Sequence, residues 1–156
     1  MALRNIRTEQ DPILKKISKP VWEMTDKVKT LIGDMLETMY NANGVGLAAV
    51  QVGVLKRIVV IDVSDEGNDP IILINPEIID KSGSQTGDEG CLSVPGKSGV
   101  VTRAEHVKVK AFNEKMEVFE MEGDGLLARA FQHELDHLDG ILYTSKVEGE
   151  LKTSED

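Results

Sequence analysis

Residues 125–138 read Gly-Leu-Leu-Ala-Arg-Ala-Phe-Gln-His-Glu-Leu-Asp-His-Leu, and they predict a helix that carries a metal site. Residues four apart in a helix lie on the same face, so His133 and His137 can bind one ion. Glu134 follows His133 directly, where it can act as a general base toward a water molecule at that ion. The helix therefore contains the outline of a reaction centre.

A His-Glu-x-x-His sequence can also occur by chance on a surface helix, where both histidines are solvated. In this helix Leu126, Ala130, His133 and His137 follow one stripe, so the two imidazoles continue an apolar face. This placement favours a metal site over a pair of surface histidines.

The third ligand of this site has to come from elsewhere in the chain. A catalytic metal site uses three protein ligands and keeps one open position. The long metalloprotease signature has a third histidine where position 143 of this chain is Tyr. Another protease pattern takes its third ligand from a glutamate further downstream, where this chain has only tail acids such as Glu155 and Asp156. Cys91, the single cysteine, is the best upstream candidate because a thiolate binds zinc or ferrous iron well. Alone it would more often be a small buried hydrophobe, and His106 is expected at the surface.

Residues 44–51 read Gly-Val-Gly-Leu-Ala-Ala-Val-Gln and follow the first predicted helix. The glycines could suggest a phosphate-binding loop, but no Lys-Ser/Thr pair follows them. A helix end that leads into a buried segment is the plainer interpretation. Gln51 is then either a core amide satisfied by the backbone or a donor toward a developing oxyanion.

Composition and charge limit the class of protein. The chain has 156 residues, of which 40% are hydrophobic and 29% charged, which is typical of one globular domain. Its net charge of −9 argues against binding to a nucleic-acid backbone. No apolar run reaches the roughly 20 residues of a membrane-spanning helix, and residues 1–10 lack a signal peptide's apolar segment. A lone cysteine is typical of a reducing cytoplasm. We expect one catalytic domain over residues 1–147 and a frayed acidic tail over 148–156.

The apolar periodicity predicts an α+β fold, a single domain in which short antiparallel strands pack around the C-terminal metal-binding helix. A first helix should begin after Thr25, its N-cap, and end near Asn43-Gly44. Asp124 should cap the second helix. Predicted strands cover residues 57–62, 71–75, 100–103, 107–112 and 117–122.

Three stretches together resemble the peptide deformylase family. That family carries Gly-x-Gly-Leu-Ala-Ala-x-Gln, Glu-Gly-Cys-Leu-Ser and Gln-His-Glu-x-Asp-His in this order, and the chain has all three at residues 44–51, 89–93 and 132–137. The resemblance spans nearly the whole chain. It implies a metallo-hydrolase that removes the formyl group from the N-terminal formyl-methionine of new bacterial polypeptides and releases formate.

The resemblance also implies roles for individual residues. The ligands of one metal ion per chain would be Cys91, His133 and His137, with Glu134 as the base. Gln51 and the backbone N–H of Leu92 would form the oxyanion hole. The ion would be Fe(II), with zinc, nickel or cobalt as substitutes.

The implied substrate lies as an extended strand beside the first two motifs. The residues expected to contact it are Val45, Gly46, Gly90, Leu126 and Ala130. Arg103 is expected to pair with Glu89 and so to support the ligands from behind.

Two other functions stay open at this point. A metallopeptidase that cleaves ordinary amides is one, although position 143 lacks its third histidine. A non-catalytic metal module is the other, with His106 as a fourth ligand that closes the site.

The expected partners are N-formyl-methionyl peptides that emerge from the ribosome, with no membrane and no direct nucleic-acid contact. Some family members dock on the ribosome through a basic C-terminal helix, and the short acidic tail 148–156 does not support that mode.

Overall fold

Two antiparallel sheets and two α-helices build residues 2–153, the part of the chain that the computed structural model describes. The helices are α1 (Asp26–Asn41) and α2 (Gly125–Leu138). This architecture confirms the predicted α+β class, and α2 has the bounds that its sequence predicted. None of the helices in this part of the chain is both long and apolar enough to cross a bilayer.

The strands divide between a larger and a smaller sheet. In chain order they are β1 (Gly46–Ala48), β2 (Ile58–Ile61), β3 (Ile71–Ser82), β4 (Gln85–Cys91), β5 (Val94–Arg103), β6 (His106–Phe112), β7 (Val118–Asp124) and β8 (Glu148–Thr153). The five-stranded sheet has the order β1-β2-β3-β6-β7, and the three-stranded sheet has the order β4-β5-β8. Strands β1 and β4 are therefore edge strands of different sheets.

The two helices cover opposite faces of the five-stranded sheet. Successive side chains of a strand point to opposite faces, and β2 contributes Ile58 and Val60 to one apolar cluster and Val59 and Ile61 to another. The first cluster contains the buried side of α1, and the second contains that of α2. Both faces of β2 are consequently buried, which agrees with its uniformly apolar sequence.

The ends of the helices agree only partly with the sequence analysis. The Thr25 hydroxyl accepts a hydrogen bond from the Val28 N–H at 3.2 Å, which confirms its role as the N-cap of α1. Asp124 occupies the N-cap position of α2 but makes no capping bond. Its carboxylate lies 2.6 Å from Nδ1 of His106 instead, so the predicted cap is wrong because a cross-strand ion pair takes the carboxylate.

The C-terminal segment contains more regular structure than we expected. Residues 148–153, expected to be frayed, form β8, which pairs antiparallel with β5. Its residues are exposed and lack an apolar alternation, so backbone pairing and the Lys152–Asp88 ion pair hold it in place. Residues 154–156 lie outside the described part of the chain. The domain boundary at residue 147 stays a prediction.

Candidate metal centre

The three predicted ligands meet at one point. Cys91 ends β4, while His133 and His137 lie one turn apart on α2. Their ligand atoms all lie within 4.8 Å of one another, and Cys91 Sγ lies 3.3 Å from Nε2 of His137. Two ligands of one tetrahedral ion, each bound at about 2.0–2.3 Å, lie about 3.3–3.7 Å apart. One thiol and two imidazoles at this spacing fit a single metal ion.

Glu89 orients the first of the two histidines. Nδ1 of His133 lies 2.5 Å from Oε2 of Glu89, so this nitrogen donates to the carboxylate and Nε2 faces the ligand cluster. Burial alone would raise the pKa of Glu89, but hydrogen bonds from Arg103 and His133 outweigh it and hold that pKa well below its usual range. Glu89 therefore remains a charged acceptor behind the ligands.

Two arginines complete the surroundings of this carboxylate. Arg103 donates to both oxygens of Glu89, from Nε at 2.8 Å and from Nη2 at 2.6 Å, as the family resemblance implied. Arg129 donates from Nη1 at 2.8 Å, a contact that the sequence analysis missed. A signal for it existed, because Arg129 lies four residues before His133 on the same face of α2. All of these groups are buried.

Glu134 lies beside the cluster without belonging to it. Its Oε2 is 3.9 Å from Nε2 of His133, and its buried Oε1 has no hydrogen-bond partner within residues 2–153. Burial raises the pKa of Glu134 to about 7. The backbone of β1 passes so close that a Cβ at Gly46 would lie 2.5 Å from Oε2. The backbone of β1 thus helps to hold the carboxylate in place beside the ligand cluster.

Gln51 makes the backbone contact of a core amide and also faces the ligand cluster. Its Oε1 accepts from the Ala48 N–H at 2.9 Å, which is the role of a core amide. Its Nε2 donates to the Ser93 hydroxyl at 3.0 Å and lies 3.6 Å from Cys91 Sγ. The amide is therefore fixed by the backbone and directs its N–H groups toward the ligand cluster.

An open cavity of about 460 Å³ leads to this centre. Cys91, His133 and Glu134 line it, and fully buried His137 does not. Gln51 and Leu92, the two candidate oxyanion donors, line it as well. The centre therefore faces the cavity on one side, which leaves room for a fourth ligand such as water or substrate.

All five predicted substrate contacts line the same cavity: Val45, Gly46, Gly90, Leu126 and Ala130. Val45 and Leu126 are 42% and 53% exposed, so they lie at its mouth, while Ala130 is buried further in. The edge strands β1 and β4 border the cavity from the two sheets. An extended peptide could pair with either of them.

His106 is not part of the centre. It lies on β6, with Nδ1 and Nε2 at 2.6 Å and 2.9 Å from carboxylate oxygens of Asp124 and Glu122. Within residues 2–153 the one set of three potential ligands close enough to share an ion is Cys91, His133 and His137. The structure therefore gives no support to a closed site with His106 as a fourth ligand.

Comparisons with known proteins show sequence and fold similarity to one family. The sequence pattern of the polypeptide deformylase family matches residues 3–153. A peptide deformylase of Lachnoclostridium phytofermentans is 70% identical over 151 residues, which are 97% of this chain and 93% of that relative. The crystal structure of a peptide deformylase from Legionella pneumophila superposes with a TM-score of 0.91 at 46% identity, over 94% of this chain and 86% of that one. A peptide deformylase from Synechococcus elongatus, solved in complex with actinonin, gives a TM-score of 0.90 at 40% identity, over 94% and 80% of the two chains.

Proposed function

The chain belongs to the peptide deformylase family, and on that premise we propose how its own residues carry out the reaction. It is a metal-dependent hydrolase that removes the N-terminal formyl group from new polypeptides, a step of protein maturation. The observation that carries the residue assignment is the convergence of Cys91, His133 and His137 beside the buried Glu134.

Cys91, His133 and His137 would hold the ion, and Glu134 would move the protons. A bound ion supplies Lewis-acid chemistry, since it lowers the pKa of water and polarises a carbonyl oxygen. Glu134 accepts a proton from the attacking water as the water oxygen bonds to the formyl carbon. Glu134 then gives that proton to the leaving amine as the C–N bond breaks, and formate departs. A pKa near 7 suits both steps, because the group must accept and release the proton in turn.

Gln51 and the backbone N–H of Leu92 would stabilise the negative charge that develops on the formyl oxygen. The fixed carboxamide supports this role, because a donor that is already oriented costs no reorganisation during the reaction. Val45, Leu126 and Ala130 would receive the methionine side chain, while β1 or β4 would pair with the extended peptide.

Gln51→Leu should lower kcat by about 10²- to 10³-fold and change KM little, because the missing donor acts on the transition state. The measurement is steady-state release of formate from formyl-Met-Ala-Ser. Ser93→Ala is the matched control, since it removes only the hydroxyl that accepts from Gln51. A raised KM with unchanged kcat in the Gln51 variant would contradict the oxyanion role.

Glu89→Gln should weaken metal binding by about 10- to 100-fold, because a neutral amide orients His133 less well. Competition with a chromophoric chelator measures this affinity. Asp136→Asn is the matched control, since Asp136 accepts from Arg103 at 3.0 Å and is not a partner of His133 Nδ1. Equal metal affinities in both variants would show that Glu89 does not support the metal ligands.

We further propose that the native ion is Fe(II), with zinc, nickel or cobalt as substitutes. A set of one thiolate and two imidazoles suits both zinc and ferrous iron. Metal analysis of protein prepared without oxygen identifies the ion. The iron form should lose activity in air, and an iron form that keeps its activity there would argue for zinc.

The place of action is proposed as the bacterial cytoplasm, on chains that emerge from the ribosome. The named relatives are bacterial proteins, and newly made chains are the N-formylated peptides that a deformylase meets. A pulse-labelled cell extract in which this protein is depleted should accumulate N-formylated new chains.

One assay tests the function as a whole. Formyl-Met-Ala-Ser should release formate, and the unformylated peptide should remain intact. Cleavage of an internal amide in either peptide would favour the metallopeptidase instead. Actinonin, the ligand of the Synechococcus elongatus relative, should inhibit the first reaction.

A further inference from the structure

Exposed lysines and an exposed tryptophan lie in two chain segments that the proposed reaction does not use. We define the lysine–tryptophan patch as Lys15, Lys16, Lys19, Lys56 and Trp22, all of them exposed. We propose that this patch binds single-stranded RNA through its phosphates and through stacking of a base on Trp22.

The distribution of charge along the chain sets this patch apart. Residues 12–22 and 53–61 carry five of the 18 basic side chains and no acid. The other 13 basic side chains share the rest of the chain with all 27 acids. The net charge of −9 argued against phosphate binding by the chain as a whole, but clustered lysines rather than net charge determine a local phosphate site.

The fold joins the two basic segments. Lys19 and Lys56 pair in a parallel bridge, in which the Lys19 N–H donates to the Leu55 carbonyl and the Arg57 N–H to that of Lys19. Arg57 bonds the carbonyls of Ser18 and Leu138 and pairs with the exposed carboxylate of Asp139 at 3.1 Å, so it is not counted in the patch. None of the four lysines forms an ion pair within residues 2–153, whereas Lys97, Lys108, Lys146 and Lys152 all do. Their charges are therefore available to a partner.

Trp22 supplies the second element of a single-strand site. It is the one tryptophan of the chain, and it is 84% exposed, three residues beyond Lys19. Sites that bind single strands combine a basic surface with aromatic side chains on which bases stack. Ile17, 68% exposed, is the other large apolar side chain here, and two separated residues are too few for the apolar face that inserts into a membrane. The preference for RNA over lipid also rests on the proposed function, because its substrates emerge from the ribosome, which is rich in RNA.

The patch is separate from the catalytic cavity, since none of its five residues lines that cavity. Changes in the patch should therefore leave the turnover of a small formylated peptide unaltered. The RNA inference and the proposed function can consequently fail independently.

The experiment titrates the full chain with a single-stranded oligouridine of about twelve nucleotides and follows tryptophan fluorescence, which reports on Trp22 alone. Stacking should quench the emission. Four lysines on phosphates predict a slope of log K against log salt of about −2.8, or about fifty-fold weaker binding at about 200 mM than at about 50 mM salt. Trp22→Ala, followed with labelled RNA, should weaken binding by about 5- to 150-fold.

Matched double variants give the decisive comparison. Lys16→Gln/Lys19→Gln should halve the salt slope to about −1.4. Lys110→Gln/Lys115→Gln removes the same charge on the β6–β7 hairpin and should leave the slope unchanged. Absence of binding at low salt, equal loss in both double variants, or binding to phosphatidylserine vesicles but not to RNA would each overturn the proposal. Release of formate from formyl-Met-Ala-Ser is measured on every preparation and reports separately on the enzyme.

Discussion

Glu134→Gln is expected to keep the metal ion and to lower kcat by about 10²- to 10⁴-fold, the range that a positioned general acid–base contributes. Glutamine has nearly the same shape, so the side chain should still fit between Gly46 and His133. An amide cannot accept the proton from water or return it to the amine. Binding of the ion should survive, because Glu134 is assigned to proton transfer and not to ligation.

The pH dependence of kcat/KM gives this prediction a second readout. Burial raises the pKa of Glu134 to about 7. A bound metal ion would favour the charged carboxylate and so lower this pKa again. The wild-type rate should therefore fall as the pH drops through a value at or below about 7, where the carboxylate becomes protonated. The residual rate of the Gln variant should lack this fall. Loss of the metal in that variant, measured by elemental analysis, would reassign Glu134 as a ligand.

Cys91→Ala is expected to lose both the ion and all measurable activity. The cluster would then have only two imidazoles, and a mononuclear catalytic site with two protein ligands falls short of the usual three. The methyl side chain fills part of the space of the thiol, so the fold should persist. Far-ultraviolet circular dichroism checks the fold, and elemental analysis checks the ion.

The cobalt form tests the sulfur ligand directly. Cobalt-loaded wild-type protein should show a thiolate-to-metal charge-transfer absorption, and Cys91→Ser should lack this band even if its hydroxyl retains some cobalt. Ser93→Ala is the control, because it alters a neighbouring hydroxyl and leaves the sulfur in place. Full metal occupancy in Cys91→Ala, or an unchanged spectrum in Cys91→Ser, would rule out the ligand role.

Local sequence patterns predicted the elements whose stability is local. The apolar stripe and the Thr25 cap define α1, and the stripe that contains His133 and His137 defines α2 with its observed bounds. The helical period alone places these two histidines on one face. Residue chemistry suggested Glu134, Cys91 and Gln51, and the family resemblance named the other candidate residues. All of these roles stay predictions until the variants are measured.

Elements that depend on distant partners were missed or shortened. Strand β1 has three residues inside the glycine-rich segment and pairs with β2, and β4 contains two glycines and polar side chains. Strand β8 is fully exposed and pairs with β5 from about fifty residues away. None of these segments has the apolar alternation that predicts a strand, because backbone hydrogen bonds and neighbouring elements stabilise them.

The sequence by itself determined the helix with the paired histidines, the α+β class and the family, because these depend on residues close together in the chain or on motifs in order. Only the tertiary structure decided that Cys91 Sγ lies 3.3 Å from His137 Nε2 and that Glu89 bonds both His133 and Arg129. Those contacts join residues 40 to 46 positions apart. Their geometry follows from how the two sheets pack against α2, which no local pattern encodes.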